Sequence, residues 1–454
     1  MPTITKQNNT ATVVFSSPDS FDTFNTLIND FLAGTGQYLN TNYCKLLVKV
    51  MGTDPCGGRD GAYGSGTKAD PYIYFKFASP STTTRKATVV IDWSGIRFVA
   101  GFSNQVVRFM THDLAQNSTI HHINLEAKVT NQMGAGCYVN GMGNVVFENS
   151  NIYCTSGMED ELNAAIIHAG QGVVKFLNTD VEGNNNCRTV INYVGGKIYA
   201  TNSDFKNSNQ YYWGVYNESG TIFLDNCRSF GLLNYDGVYA DNCWFNNEVY
   251  SEGEMHLSNS KIFGPTGIAG GRSFIDNCEC YYRAASQVRL DAILVEKKGT
   301  LMISNTFCIA LNTNSTSSSA DAVGLCVVPN TDSQITCRVN AVNCIFAGFR
   351  NSSNTSAKGY GVYSTVVDGK STCYINLLNC RFLKYSPEFS GTHDVDLELG
   401  AKLGSTVVKP KGYSIVGCTF NDQKVSIGGE MVTSVESSSS EYMPLYANRF
   451  VQPD

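Results

Sequence analysis

The segment VVFENSNIY, residues 145–153, contains the pattern that decides the fold. Apolar residues alternate with other residues up to an asparagine, a small residue follows it, and an apolar residue closes the pattern two positions further on. Outward from this segment the pattern recurs in VKFLNTDV (174–181), IYATNSDF (198–205), IFLDNCRSF (222–230), VYADNCWF (238–245), MHLSNSKI (255–262), SFIDNCEC (273–280), LMISNTFC (301–308), VNAVNCIF (339–346), INLLNCRF (375–382) and YSIVGCTF (413–420). Such self-similarity predicts a stacked repeat architecture.

The asparagine in each copy marks a corner of the chain. Glycine replaces it in the last copy, and Asn and Gly are the two residues that readily adopt the left-handed backbone conformation. We therefore predict a left-handed corner at each of these positions: Asn149, Asn178, Asn202, Asn226, Asn242, Asn259, Asn277, Asn305, Asn343, Asn379 and Gly417.

The residues around each corner predict a strand with one buried face. Two residues before the corner the side chain is always apolar, and the outward position before that varies, for example Val146, Lys175 and His256. This period-two alternation is typical of a strand that is buried on one side. The residue after the corner is always Ser, Thr or Cys, which predicts a narrow inward column where a thiol replaces a hydroxyl freely.

We expect an all-β chain folded as a right-handed parallel β-helix solenoid with a short N-terminal capping helix. Corners lie about 24 residues apart in the middle of the chain, which is enough for three short strands and three turns. The predicted boundaries are 1–44 for the arm and capping helix, 45–425 for the β-helix, and 426–454 for a C-terminal cap or tail. Polar inserts at 312–319 and 351–356 are expected to leave the solenoid as loops on one face.

The capping helix is predicted from Ser17 as N-cap and Pro18 at the first helical position. Gly34 is expected to end it. Its apolar stripe consists of Phe21, Phe24, Leu27, Ile28, Phe31 and Leu32. The helix would cover the open edge of the first coil, because exposed strand edges invite aggregation, or would serve as a docking element. Strands at 46–52, 71–78 and 86–101 are expected to begin the stack.

Composition narrows the classes of partner. The net charge of −6 and the lack of a basic stripe argue against nucleic acid. The N-terminal residues contain no apolar run typical of a signal peptide, and no stretch is long and apolar enough to span a membrane. We therefore expect synthesis in a cytosol. We also expect the sixteen cysteines to be buried free thiols, with an occasional bridge between stacked rungs as the alternative.

Three aspartates precede the corner residues and are the predicted catalytic candidates: Asp225, Asp241 and Asp276. Stacked rungs would place Asp225 and Asp241 near the carboxylate spacing of retaining glycosidases, and Asp241 and Asp276 near that of inverting ones. The alternative is that these carboxylates accept hydrogen bonds from the turns or face water.

Aromatic residues near the predicted coil corners are candidate carbohydrate-binding groups: Tyr211, Tyr212, Trp213, Tyr281 and Tyr282. Packing between coils or between chains explains them equally well. The acidic segment 159–161 is either a cation or sugar site or a solvated turn. His121 and His122 alternate faces on a strand and no spacing matches a zinc site, so no metal and no cofactor is predicted.

The stacked segments and the helix before them resemble the pectate-lyase-like β-helix family over roughly residues 45–420. Within that family the chain is similar to bacteriophage tailspikes and tail appendages. The resemblance implies a homotrimer in the virion, associated with other tail or baseplate proteins and with the host surface polysaccharide. Little of the chain follows Phe420, whereas tailspikes often carry a sizeable C-terminal β-domain, and this favours a smaller fibre, collar or baseplate component.

Two functions from different classes remain after this reading. The first is a structural protein of the phage tail that attaches to the host surface without catalysis. The second is an enzyme that depolymerises polysaccharide as a hydrolase or lyase, either as a tailspike or as another carbohydrate-active β-helix protein. Fold alone does not separate them, because one fold carries many functions.

Overall fold

The computed structural model describes residues 3–7, 9–16, 21–36, 44–51, 73–76, 86–101, 106–131, 133–156, 163–209, 213–317, 319–329, 336–370, 372–385, 390–421 and 424–431. The chain forms two compact units, residues 1–230 and 231–454. Each unit is almost entirely β and is built from long parallel sheets, so the predicted parallel β-helix fold is confirmed.

Among its described residues the N-terminal unit contains one helix, α1 (Phe21–Ala33). Its strands are β1 (Thr3–Gln7), β2 (Thr10–Ser16), β3 (Lys45–Met51), β4 (Ile73–Lys76), β5 (Ala87–Gly95), β6 (Arg97–Gly101), β7 (Val106–Leu114), β8 (Ser118–Ile123), β9 (Glu126–Asn131), β10 (Met133–Gly141), β11 (Asn144–Glu148), β12 (Asn151–Ser156), β13 (Ala164–His168), β14 (Val173–Leu177), β15 (Asp180–Asn185), β16 (Arg188–Asn192), β17 (Lys197–Thr201), β18 (Asp204–Asn207), β19 (Val215–Asn217), β20 (Thr221–Asp225) and β21 (Arg228–Ser229).

The elements that the structure describes in the C-terminal unit are all strands. They are β22 (Leu232–Asn234), β23 (Gly237–Asp241), β24 (Trp244–Phe245), β25 (Val249–Ser251), β26 (Glu254–Ser258), β27 (Lys261–Ile262), β28 (Thr266–Ile268), β29 (Arg272–Asp276), β30 (Glu279–Ala284), β31 (Leu290–Val295), β32 (Thr300–Ser304), β33 (Phe307–Asn312), β34 (Ala322–Val327), β35 (Cys337–Val342), β36 (Ile345–Arg350), β37 (Gly359–Ser364), β38 (Cys373–Leu378), β39 (Arg381–Phe382), β40 (Val395–Leu399), β41 (Ala401–Leu403), β42 (Thr406–Val408), β43 (Gly412–Val416), β44 (Val425–Ile427) and β45 (Glu430–Met431).

Three sheets form the sides of the coil in each unit, and we name them A, B and C. In the N-terminal unit sheet A is β1-β2-β3-β5-β8-β11-β14-β17-β20, sheet B is β4-β7-β10-β13-β16-β19 and sheet C is β6-β9-β12-β15-β18-β21. In the C-terminal unit sheet A is β23-β26-β29-β32-β35-β38-β43, sheet B is β22-β25-β28-β31-β34-β37-β40-β44-β45 and sheet C is β24-β27-β30-β33-β36-β39. The β1–β2, β41–β42 and β44–β45 pairs are antiparallel.

The corner between sheets A and C is the most regular feature. From β8 to β38, two residues separate each sheet A strand from the next sheet C strand, as Asn277 and Cys278 do between β29 and β30. Between β5 and β6 a single residue, Ile96, makes the connection. Every predicted corner residue has positive φ, from 48° at Asn149 to 66° at Gly417. Asn124, with φ of 57°, occupies the same kind of corner and was missed in the sequence because Leu125 follows it instead of a small residue.

The small residue after the corner donates a side-chain hydrogen bond to the last carbonyl of the preceding sheet A strand. Thr306 Oγ1 donates a hydrogen bond to the Ser304 carbonyl at 2.7 Å, and Cys278 Sγ donates to the Asp276 carbonyl at 3.2 Å. A hydroxyl and a thiol therefore make the same hydrogen bond to the carbonyl two residues earlier, which agrees with the predicted exchange of Ser, Thr and Cys at this position. Every cysteine that the structure describes is a free thiol, and thirteen of them are buried as predicted, whereas Cys418 is partly buried and Cys44 is exposed.

The apolar residues two positions before the corners fill the interior. Phe147 pairs in register with Phe176, and Phe176 with Ala200, so inward side chains stack from rung to rung. Leu257 and Ile275 are at most 2% exposed. Complete burial of one such side chain stabilises the fold by about 1.5–3 kcal/mol.

Helix α1 covers an apolar part of the N-terminal unit. Phe24 packs against Phe75 and Trp93 with ring centroids 6.4 and 5.5 Å apart. Ile28 and Phe31 are fully buried on the same apolar stripe. Gly34, with φ of 68°, follows the last helical residue and ends the helix as predicted, whereas Ser17 and Pro18 lie outside the described residues. Before the helix, β2 pairs parallel with β3, so the predicted arm contributes to sheet A.

Buried histidines distinguish the two interiors. In the N-terminal unit Trp93 Nε1 donates to His122 Nδ1 at 3.0 Å, and His122 Nε2 lies 2.8 Å from His112 Nε2. In the C-terminal unit His393 Nε2 lies 2.9 Å from Asp396 Oδ1, and both side chains are fully buried.

The predicted lateral loops leave from one corner. Residues 313–321 and 351–358 both connect a sheet C strand to a sheet B strand. Asn351 Nδ2 donates to the Thr313 carbonyl at 2.8 Å, so the two loops contact each other. The expectation that these inserts share one face is therefore correct.

Candidate functional site

Two of the three candidate catalytic aspartates lie in one outward column of the C-terminal unit. Asp241 pairs in register with Ser258, and Ser258 pairs with Asp276, so the two carboxylates are two rungs apart. That separation matches the predicted arrangement. Asp225 ends β20 in the N-terminal unit, so its predicted pairing with Asp241 involves residues of different units.

Both carboxylates act as hydrogen-bond acceptors for the following coil. Ser258 Oγ and Asn259 Nδ2 donate to Asp241 Oδ1 at 2.6 and 2.7 Å. The same pair of donors recurs two coils later, where Ser304 Oγ and Asn305 Nδ2 donate to Asp276 Oδ1 at 2.6 and 2.9 Å. The two carboxylates therefore accept hydrogen bonds from the turn residues, which was the non-catalytic alternative.

The aspartates thereby belong to a ladder of polar side chains along the corner. Asn277 Nδ2 donates to Asn259 Oδ1 at 2.7 Å in the C-terminal unit. In the N-terminal unit Asn226 donates to Asn202 at 2.7 Å and Asn202 to Asn178 at 3.2 Å. Asparagine thus has two uses at the corner, since it accepts positive φ and links successive rungs.

The candidate aromatic residues do not form one group. Tyr211 and Tyr212 lie outside the described residues, and Trp213 is partly buried just before β19. Tyr281 packs against the apolar cluster that includes Ile309 and Phe349. Tyr282 packs against a separate cluster that includes Leu290 and Ala310, and burial raises its pKa.

Other outward aromatic rings stack on one another along sheet A of the C-terminal unit. The Tyr239 and His256 ring centroids are 4.6 Å apart, and those of His256 and Phe274 are 4.4 Å apart. Glu254 Oε1 accepts hydrogen bonds from Tyr239 Oη and His256 Nε2. Burial opposes the change, but these hydrogen bonds lower the pKa of Glu254. The facing rings occupy the surfaces that a sugar would need for stacking.

The C-terminal unit also has a cleft on the outer side of sheet B, which the sequence did not predict. Its volume is about 550 Å³, within the range of small-ligand sites. The lining residues are Lys358, Val395, Glu398, Ala401, Lys402, Lys424, Ser426, Gly429 and Met431. They come from β40, β44 and the strands and turns near them, so the cleft lies where additional strands interrupt the regular coil.

Charged side chains surround this cleft. Burial raises the pKa of Glu398, nearby Lys358 lowers it and Asp321 raises it. Burial also raises the pKa of Asp321, which accepts a hydrogen bond from the Lys358 backbone N–H at 2.7 Å. Arg350 forms a two-pronged ion pair with Asp394 at 2.8 and 3.1 Å. A carboxyl group with a raised pKa beside ammonium groups can accept hydrogen bonds from a ligand or donate a proton to it.

The histidines and acidic groups give no metal centre in the described part of the chain. His122 points inward to Trp93, whereas His121 pairs outward with Glu148 at 2.8 Å, as the alternation of faces predicted. No set of three or more His, Cys, Asp or Glu side chains there is arranged to hold a metal ion. The acidic segment 159–161 lies outside the described residues.

Within the described ranges, no helix has the length and apolar character needed to cross a bilayer. The comparisons with known proteins add no relative: no protein-family model, no curated protein and no solved structure matches the chain.

Proposed function

We propose that this chain is a structural protein of a bacteriophage tail that attaches to polysaccharide on the host surface without cleaving it. The main support is the hydrogen bonding of Asp241 and Asp276, whose Oδ1 atoms each accept two hydrogen bonds from the next coil at 2.6–2.9 Å. These hydrogen bonds engage the carboxylates in holding successive coils together. A general acid or nucleophile must instead turn its oxygens toward the substrate.

The repeat supports the virion part of this proposal by resemblance. Tailspikes and tail appendages carry stacked coils of this kind, and the coil pattern covers most of this chain. Their assembly implies a homotrimer in contact with other tail or baseplate proteins, made in the host cytoplasm. Buried free thiols fit synthesis in a reducing compartment.

A polysaccharide-cleaving enzyme is the second candidate, and one observation favours it. Glu398 lies in a cleft and has a raised pKa, which is the property expected of a general acid. Asp321 is a second carboxyl group whose electrostatic effect reaches Glu398. In this second function Glu398 replaces Asp225, Asp241 and Asp276 as the residue to test.

The first experiment applies the purified full-length chain to an immobilised panel of bacterial capsular polysaccharides and lipopolysaccharides. Binding is measured on the panel, and released reducing ends and unsaturated uronates are measured in solution. We expect binding to a subset of the polysaccharides without release of product. Turnover that Glu398→Gln abolishes would establish the second function instead, and turnover that Asp241→Asn abolishes would restore the aspartates as catalytic residues.

Light scattering on the same sample tests the assembly. We expect a mass close to three chains, because free-standing tail appendages of this kind are trimeric. A monomer at micromolar concentration would contradict the trimer and count against a free-standing spike.

A further inference from the structure

The cleft in the C-terminal unit has an excess of positive charge. Three of its lining residues are lysines, Lys358, Lys402 and Lys424, and one, Glu398, is acidic. Lys402 Nζ forms an exposed ion pair with Glu430 Oε1 at 3.8 Å. Among the described residues Lys358 and Lys424 form no ion pair within 4 Å. The Lys358 ammonium lies 5.8 Å from the centre of the Tyr360 ring, a contact that leaves its N–H groups able to donate to a ligand.

The arrangement of these groups requires a ligand with two kinds of polar group. Lys358 precedes β37, whereas Lys424 precedes β44, so the two lysines enter the cleft from different coils. Glu398 on β40 pairs in register with Ser426 on β44, which places a carboxyl and a hydroxyl on neighbouring strands. Lysine binds anionic groups as a point charge, whereas carboxyl and hydroxyl oxygens bind the hydroxyl groups of a ligand.

Apolar atoms complete the lining. Val395 and Met431 stand in the same cleft as the charged residues. Sugars present C–H faces as well as hydroxyl groups, and a lining of mixed polarity suits both. A free inorganic anion would need none of the apolar surface and little of the volume.

We propose that this cleft binds an anionic saccharide unit, with its acidic group held by Lys358 and Lys424 and its hydroxyl groups held by Glu398 and Ser426. The inference rests on the proposed attachment function, for which it names the class of glycan. The acidic group is a carboxylate, a sulfate or a phosphate, since an ammonium group binds all three.

Isothermal titration calorimetry of the full-length protein tests the inference with four probes. They are trigalacturonate, a sulfated chondroitin disaccharide, neutral cellotriose and inorganic phosphate. We expect at least one acidic saccharide to bind at least tenfold more tightly than cellotriose and phosphate. Lys358→Gln and Lys424→Gln should each weaken that binding by roughly tenfold, because each removes a charged hydrogen bond. Lys197→Gln, at an exposed position on β17, is the matched control and should leave the affinity unchanged.

Equal binding of neutral and acidic saccharides would overturn the inference, as would binding of phosphate alone or no binding of any probe. An effect of Lys197→Gln as large as that of Lys424→Gln would also overturn it, since the charge would then act without a site. The attachment function is separable from this result. If the protein binds the polysaccharide panel and the two cleft variants bind it equally well, the cleft assignment fails and the attachment function stands.

Discussion

The two units bury histidine in opposite ways. In the N-terminal unit Trp93 can only donate a hydrogen bond, so His122 Nδ1 must accept it, and His122 then donates from Nε2 to His112. Both imidazoles are neutral in this chain of donors. In the C-terminal unit His393 Nδ1 must donate to the Gly348 carbonyl, and a carboxylate, Asp396, faces its other nitrogen. A buried imidazole therefore either receives a hydrogen bond from a neutral donor or faces a buried acid, and the two arrangements respond differently to mutation.

The largest effect is expected when the acid of the C-terminal unit is removed. Asp396→Ala should lower the free energy of unfolding by about 3–5 kcal/mol, because it leaves buried His393 and the Asn421 N–H without their acceptor. Asp396→Asn should have an effect below about 1.5 kcal/mol, since its amide can donate to a neutral His393 and its oxygen can still accept from Asn421. Urea unfolding followed by hydrogen exchange at β40 measures both variants. Equal losses would contradict this expectation, because they would show that an amide of the same shape cannot replace the carboxyl group at this position.

The second-largest effect is expected from acid, which should destabilise the N-terminal unit. Burial lowers the pKa of His112 to about 3 and that of His168 to about 4, so both stay neutral in the fold. The unfolded chain takes up these protons below its ordinary histidine pKa of about 6.5, so stability is lost as pH falls from there toward 4. His112 alone accounts for about 3 kcal/mol over that range. Hydrogen exchange at stepped pH should show earlier loss of protection in β7 and β8 than in β31 and β34.

The C-terminal unit is the internal control for that experiment. Burial raises the pKa of Glu248, Asp291, Asp321 and Glu398 there. A carboxyl group whose pKa is raised by folding binds its proton more tightly in the folded state, so it stabilises the fold as pH falls through that window. Simultaneous loss of protection in both units at the same pH would contradict the contrast.

The corner, in contrast, should behave alike in both units. Asn277→Val and Asn178→Val should each lower the free energy of unfolding by about 2–3 kcal/mol, because a β-branched residue is strained at positive φ and the ladder hydrogen bond is lost. Asn→Gly at either position should lower it by about 1 kcal/mol or less, since only exposed side-chain hydrogen bonds disappear: the one to Asn259 for Asn277, and those to Asn149 and from Asn202 for Asn178. A large effect in one unit alone would mean that the corners are not equivalent.

The smallest effect is expected at the inward column after the corner. Cys278→Ser and Ser203→Cys should each change the free energy of unfolding by less than about 1 kcal/mol, because a thiol and a hydroxyl both donate to the carbonyl two residues earlier. Thermal unfolding of the two variants beside wild type measures this. A loss above 2 kcal/mol in either variant would show that the column distinguishes sulfur from oxygen.

Features that recur in every coil could be predicted from the sequence, whereas features that occur at a single place could not. The corner asparagines, the inward residues before them and the column after them were predictable, because each position recurs with the same chemistry. The contact between His112 and His122 was not predictable, since it joins strands of different sheets and recurs in none of the other coils that the structure describes. The cleft was missed for the same reason. Lys358 and Lys424 meet only because the strands around β40 and β44 depart from the repeat.

The two-residue link between sheets A and C makes successive coils structurally interchangeable. Because the coils from β8 to β38 use the same two-residue link, residues 260–277 could be excised as one coil. Asn259 would then precede Cys278 in place of Asn277, and the flanking rungs would stay in phase. Foreign segments could likewise be grafted between β33 and β34 or between β36 and β37, where chain length already varies. A designer could therefore change the height of such a stack and its surface independently.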